Sequence, residues 1–150
     1  MIAFAESCTG GLLAARFTEL AGASKAFWGG VVSYTEASKV ALLGVNPDTI
    51  ATQGVVSRAT VEEMALGLLS RSGADYSIAI SGFAGPDAPE AEGRPGRVCI
   101  AWGRSRPGDD DHASVKSVEY RFQGGRAEIR AAACERAFGE ALAFCVERDA

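Results

Sequence analysis

The stretch Ala5-Glu6-Ser7-Cys8-Thr9-Gly10-Gly11 constrains the fold more than any other segment. Before it, Met1 to Ala5 reads as a short strand; after it, Leu13, Phe17 and Leu20 recur at helical spacings of four and three. A strand therefore runs through a small-residue turn straight into a helix. Two glycines let the backbone approach a ligand closely, and the first helical turn aims unpaired N–H groups at one point. Such a point stabilises an anion or a developing oxyanion. Ser7 stands at its mouth. Ser7 and Thr9 are also ordinary capping residues, so this segment alone leaves both roles open.

Helices and strands go on interleaving along the chain. Gly22 is placed to stop the first helix, Gly30 to Tyr34 reads as a strand, and Glu36 to Leu43 as a short helix. Asn46-Pro47 breaks that helix, and a polar connection leads to Val55-Val56. The clearest helix covers Ser57 to Arg71, with Val61, Met64, Ala65, Leu68 and Leu69 on one stripe. Thr60 and Glu63 have capping-box spacing, and Ser57 is an equally good earlier cap. Tyr76 to Ser81 reads as a strand, Gly82 to Gly96 as a turn-rich loop, and Val98 to Trp102 as a strand buried on both faces. Pro107 to Asp111 reads as a solvated turn and Ser114 to Phe122 as a more exposed strand. A long helix from Arg126 to Glu147 follows, with Ile129, Ala133 or Cys134, Phe138, Leu142 and Cys145 on its buried stripe. The pattern predicts one layered α/β domain, its mixed or mostly parallel sheet flanked by helices. Strand order is not legible.

At 150 residues the chain can bury a core without staples. A formal net charge of -4 argues against a nucleic-acid binder, although a local anion site needs only a few donors. Cys8, Cys99, Cys134 and Cys145 form no C-x-x-C pair and read as free thiols in a reducing compartment. No apolar run approaches the ~20 residues of a membrane span, and the N-terminus lacks a signal pattern. These features predict a soluble, cytoplasmic protein. Phe27-Trp28 beside Gly29-Gly30 reads either as an exposed apolar edge suited to self-association or, for Trp28, as a core position.

A serine nucleophile needs a base within hydrogen-bond reach. The sole histidine, His112, follows Asp109, Asp110 and Asp111, whose charges would keep it protonated and solvated. A Ser-His-Asp triad is not expected. Lysine can substitute where burial or a neighbouring cation lowers its pKa from about 10.4 toward neutrality. Of Lys25, Lys39 and Lys116, Lys39 lies just past a strand end, one turn beyond Tyr34-Thr35. Ligand crevices of open α/β sheets lie at the carboxyl ends of strands. The Ser7 turn, Tyr34-Thr35 and Ser81-Gly82 all follow such ends. Ser81-Gly82-Phe83-Ala84-Gly85-Pro86 can offer backbone donors and a hydroxyl, or can be a tight turn and no more. Cys8 is a further candidate, because thiolates at helix N-termini are activated.

Ala5 to Gly11, Tyr34-Thr35 with Lys39, Val56-Ser57 with Met64-Ala65, and Ser81 to Pro86 follow one another in an order that resembles the CinA C-terminal domain family, the nicotinamide-nucleotide amidohydrolases. Phe122, Gly124, Arg126, Ile129 and Arg130 are similar to the family's late motif. The resemblance covers nearly the whole chain. It implies a single α/β domain that hydrolyses the carboxamide of nicotinamide mononucleotide, with Ser7 as nucleophile and Lys39 as base. It implies no metal and no organic cofactor, a small nucleotide as partner, and a homo-oligomer, a dimer being favoured. Thr9, Gly10 and Gly11 would supply oxyanion donors. Arg126 or Arg130, with the hydroxyls of Thr9 and Ser81, would hold the phosphate. Tyr34, Thr35, Gly82, Ala84 and Gly85 would complete the substrate site.

Some positions depart from the family pattern. Glu36 stands where Asn is usual, and pairing with Lys39 would raise the lysine's pKa and oppose its use as a base. Arg97 replaces Thr, Gly125 replaces Asp or Asn, and Asp87-Ala88-Pro89 replaces a more Gly-rich loop. The sequence also opens at the first strand, without the helix that usually precedes it and without the separate domain of larger members. The substitutions at Glu36, Arg97 and Gly125 suggest an alternative, a catalytically silent nucleotide-binding or regulatory module.

Overall fold

The computed structural model describes residues 1–85, 95–105 and 113–146. Along the chain come β1 (Ile2–Glu6), α1 (Leu12–Thr18), β2 (Phe27–Val32), α2 (Glu36–Leu43), α3 (Pro47–Gln53), α4 (Arg58–Ser72), β3 (Tyr76–Gly82), β4 (Arg97–Arg104), β5 (Ser114–Arg121) and α5 (Arg126–Val146). The strands form one mixed sheet in the order β2-β1-β3-β4-β5. β1 runs parallel to both β2 and β3, whereas β4 and β5 are antiparallel additions. No described helix is long and apolar enough to cross a membrane.

Period-two alternation sorts the strand side chains by size as well as by face. Ala3, Ala5, Ala79, Cys99 and Ala101 point to one side; Phe4, Ile78, Ile80, Val98, Ile100 and Trp102 point to the other. The small-residue face accepts α4 closely, and Val61, Met64, Ala65 and Leu68 fill the space. α2 then crosses α4 almost backbone to backbone: a Cβ on Gly67 would sit 1.8 Å from the Leu43 carbonyl oxygen. The large-residue face is covered by α1 and α5, and Trp102 Nε1 donates to the Ala137 carbonyl at 2.9 Å.

The connection from β1 to β2 carries α1 on one face, and that from β2 to β3 carries α2, α3 and α4 on the other. The winding therefore reverses at β1. The carboxyl ends of β1, β2 and β3 meet there and open a crevice.

Several expectations are corrected. The stretch after Asn46-Pro47 is no polar connection but α3, because the pair that closes one helix also opens the next. Asn46 caps it by accepting from Asp48 N, and Pro47 occupies the first turn. Gly44, in the left-handed region, ends α2. At the head of α4 the cap is Ser57, while Glu63 reaches Asn46 N and Thr49 Oγ1 at the start of α3. α1 stops at Thr18, whose hydroxyl donates to the Ala14 and Ala15 carbonyls, and Leu20 beyond it is 63% exposed. β2 begins at Phe27; that ring joins the core, and Trp28 is 47% exposed on the edge strand. On α5 the buried line follows Ile129, Ala133 and Ala137, which leaves Leu142 72% exposed. His112, Asp109 to Asp111 and Asp87-Ala88-Pro89 lie outside the described residues.

Candidate active site

β1 delivers Glu6 and Ser7 to the crevice. The Glu6 side chain, 1% exposed, turns under the start of α1. Its Oε2 accepts from Gly11 N at 3.1 Å and Leu13 N at 2.9 Å, and its Oε1 accepts from Ala14 N at 2.9 Å. Gly10 N donates to the Ser7 carbonyl and Leu12 N to that of Thr9. The N–H groups expected to face a ligand at Gly10 and Gly11 are thus already engaged, Gly10 with the Ser7 carbonyl and Gly11 with the buried Glu6 carboxylate. Among the described residues, the amides of Cys8 and Thr9 make no backbone hydrogen bond to another residue, and the Cys8 N–H lies against its own thiol. Both glycines keep a backbone role, with φ of 60° and 98°.

Lys39 reaches the same point from α2. Thr35 starts that helix, accepting from Ser38 N while the Ser38 hydroxyl accepts from Thr35 N. One turn later the Lys39 side chain lies wholly buried. Its Nζ donates to Ser7 Oγ at 2.9 Å and to the Ser33 carbonyl at 2.9 Å, and the Ser7 hydroxyl donates to the Tyr34 carbonyl at 3.4 Å. Burial lowers the lysine pKa to about 8, against opposing pulls from Cys8 and then Glu36. Glu36 is exposed and makes no hydrogen bond to Lys39, so its charge only moderates the shift. Cys8 behaves oppositely to an activated thiol: burial pushes it up to about 11. With the α1 N-terminus taken by Glu6, nothing there lowers it enough.

These groups floor a cavity of about 280 Å³. Ser7, Tyr34, Lys39, Ser81, Gly82, Ala84, Gly85 and Arg126 line it. Ser81 is committed, however, since its hydroxyl donates to the Val55 carbonyl at 2.9 Å. Arg126 donates to the Tyr34 hydroxyl at 2.8 Å across the mouth. Gly82 is required by closeness, because a Cβ there would meet Val98 Cγ2 at 2.7 Å and Cys8 Sγ at 3.1 Å. Thr9, Thr35 and Arg130 are not among the lining residues. Thr35 is spent as a cap, Thr9 is fully buried, and Arg130 donates to the Thr9 carbonyl at 2.8 Å.

Residues 1–145 match the CinA C-terminal domain. The chain belongs to the CinA C-terminal domain family. A CinA-like protein of Nostoc is 39% identical over 148 residues, which make up 99% of this chain and 34% of that protein. The chain thus spans about a third of the length of the CinA-like relatives it matches. A protein of Enterobacter agglomerans named nicotinamide-nucleotide amidohydrolase PncC is 43% identical over 126 residues, covering 84% of this chain and 73% of that one. The crystal structure of a competence/damage inducible protein from Agrobacterium tumefaciens superposes with a TM-score of 0.87 at 40% identity, over 95% of this chain and 84% of the other.

Sequence reasoning overlooked several residues of this CinA-type site. Val55, Val56 and Phe83 form its apolar wall. Phe83 lies inside the Ser81 to Pro86 motif and Val56 inside the Val56-Ser57 motif, where either could have been found, but Val55 carries no local signal of a cleft. Glu6 carries no sign of its role in the sequence beyond its place in the Ala5 to Gly11 motif. Among the departures from the CinA pattern, Arg97 pairs with Glu119 at 3.0 Å, and Gly125 N joins the start of α5 by donating to Glu128 Oε2 at 2.6 Å.

Proposed function

We propose that this domain hydrolyses the carboxamide of nicotinamide mononucleotide, with Ser7 as nucleophile and Lys39 as its base. One observation carries the reading: a wholly buried amine stands 2.9 Å from a serine oxygen on the floor of a cleft. Neutral Lys39 takes the Ser7 proton as Oγ attacks the carboxamide carbon. The amides of Cys8 and Thr9 are the donors available to the oxyanion. The C–N bond then breaks, Lys39 returns the proton to the departing ammonia, and an ester remains on Ser7. Water, deprotonated by Lys39, cleaves that ester to the carboxylate and restores the serine.

The rest of the cleft suits such a substrate. Phe83, Val55 and Val56 offer an apolar face to a pyridine ring, and Arg126, held at the mouth by Tyr34, offers a guanidinium to the phosphate. The PncC-named relative supports the choice of substrate. Cys8, Cys99, Cys134 and Cys145 are all free, in keeping with a reducing, cytoplasmic compartment. Trp28 and Val32, both nearly half exposed on the edge strand, suit a dimer of this chain, which sedimentation of the wild type against Trp28→Glu would test.

Ammonia release from nicotinamide mononucleotide by the purified protein tests the reaction. Wild-type turnover with Ser7→Ala inactive is the expected result, and an active Ser7→Ala variant would end the assignment. Calorimetric binding of the nucleotide without turnover would favour the silent module instead. The observation on that side is that a lysine of pKa about 8 is only about one-tenth neutral at pH 7.

A further inference from the structure

The site contains a buried charge to which the reaction gives no task. Glu6 is 1% exposed and, among the described residues, forms no ion pair with Lys or Arg. A carboxylate so placed is costly unless its oxygens are satisfied. Here the amides of Gly11, Leu13 and Ala14 satisfy them, and the positive end of the helix balances the charge.

A remote carboxylate is an unusual way to finish a helix. Ser, Thr, Asp or Asn beside the first turn would do it locally, yet Gly11 occupies the cap position and offers no side chain. Glu6 also joins three parts of the site. Its carbonyl accepts from Ser33 N at 2.8 Å, and the Ser33 carbonyl in turn accepts from Lys39 Nζ. The next residue is Ser7, whose own N–H donates to the Ile80 carbonyl at 3.0 Å.

We propose that Glu6 is a positioning residue, whose carboxylate clamps the first turn of α1 and so holds the Ser7 hydroxyl against the Lys39 amine. The clamp satisfies the helix without using the serine, which a local cap would consume. The proposal rests on the Ser7–Lys39 reading but is separable from it by experiment.

Glu6→Gln keeps the size and one acceptor oxygen, and it places an NH2 against a backbone N–H. Two measurements on the folded, purified variant decide. The first is the kcat and KM of ammonia release. The tyrosine, arginine and phenylalanine that would hold substrate are on other segments, so kcat should fall roughly tenfold to a hundredfold while KM stays within about twofold. The second is an NMR titration of 13C-labelled lysine, in which Lys39 is one of only three signals. Cys8 and Glu36 are the titratable groups acting on Lys39. Opening of the turn admits water to the amine, so its midpoint should move from about 8 toward that of an ordinary lysine.

A Glu6→Gln protein with unchanged kcat and an unchanged Lys39 midpoint would reduce Glu6 to a fold clamp and overturn the proposal. So would a raised KM at constant kcat, or a failure of this mild variant to fold. If the wild type releases no ammonia, the amidohydrolase reading fails, and the Lys39 titration alone still decides the role of Glu6.

Discussion

α1 and α2 both begin just past the ends of parallel strands, in segments rich in hydroxyls, and they complete their first turns in opposite ways. α2 does so locally: Thr35 and Ser38 exchange side-chain and backbone hydrogen bonds, and both hydroxyls are spent. α1 has glycine at its cap and takes its acceptor from Glu6, five residues back. The Ser7 hydroxyl is thereby left to meet Lys39. Similar sequence chemistry yields a stable helix start in one place and a candidate reaction centre in the other. What separates them is which group caps the helix.

The largest test of that contrast is Lys39→Met, which preserves length and removes the base. Turnover should fall by about a thousandfold, within the range expected for loss of a positioned general base. The same variant should be more stable at pH 7, by no more than roughly 3 kcal/mol, because burial of the ammonium is being relieved. Below about pH 8 the wild type carries this cost in full, and between there and 10.5 the cost fades as the folded lysine is already neutral while the unfolded one still binds a proton. Paired thermal melts at pH 7 and pH 10 should therefore converge. A melting difference that widens with pH would contradict the buried-amine picture.

Gly67→Ala comes next. A methyl at this backbone crossing must push α2 from α4, costing about 1–3 kcal/mol in a denaturant titration. Since α2 carries Lys39, kcat should fall as well. A smaller effect is the pH dependence of wild-type turnover, which should rise about fivefold from pH 7 to pH 8 as Lys39 loses its proton. A profile flat over that interval would remove Lys39 as the base. The smallest concerns the other helix start. Thr35→Ala should cost about 1 kcal/mol of stability and leave kcat near that of the wild type. A kcat loss on the scale of Lys39→Met would dissolve the distinction between the two caps.

Much of this architecture was legible because it depends on local periodicity. The stripe of Val61, Met64, Ala65, Leu68 and Leu69 defined α4, and the apolar runs defined β3 and β4. α3 was missed because Asn46-Pro47 serves as stop and start at once. Leu142 was misplaced because a helical stripe drifts over 21 residues, and only the sheet says which drift is followed. At the site, Ser7 and Lys39 could be named as candidates from position and residue type. The sequence does not report that the Gly10 and Gly11 amides and the Thr35 and Ser81 hydroxyls each already have a partner within the chain.

By itself the sequence determined where most of the strands and helices lie, which side chains can act as nucleophile or base, and the family they resemble, because these are carried by neighbours within a few residues. The tertiary structure decided which donors and acceptors were already taken and how far the Lys39 amine was withdrawn from water. Hydrogen-bond partners and desolvation arise from segments 5 to 32 residues apart brought together in space, and no local pattern reports them.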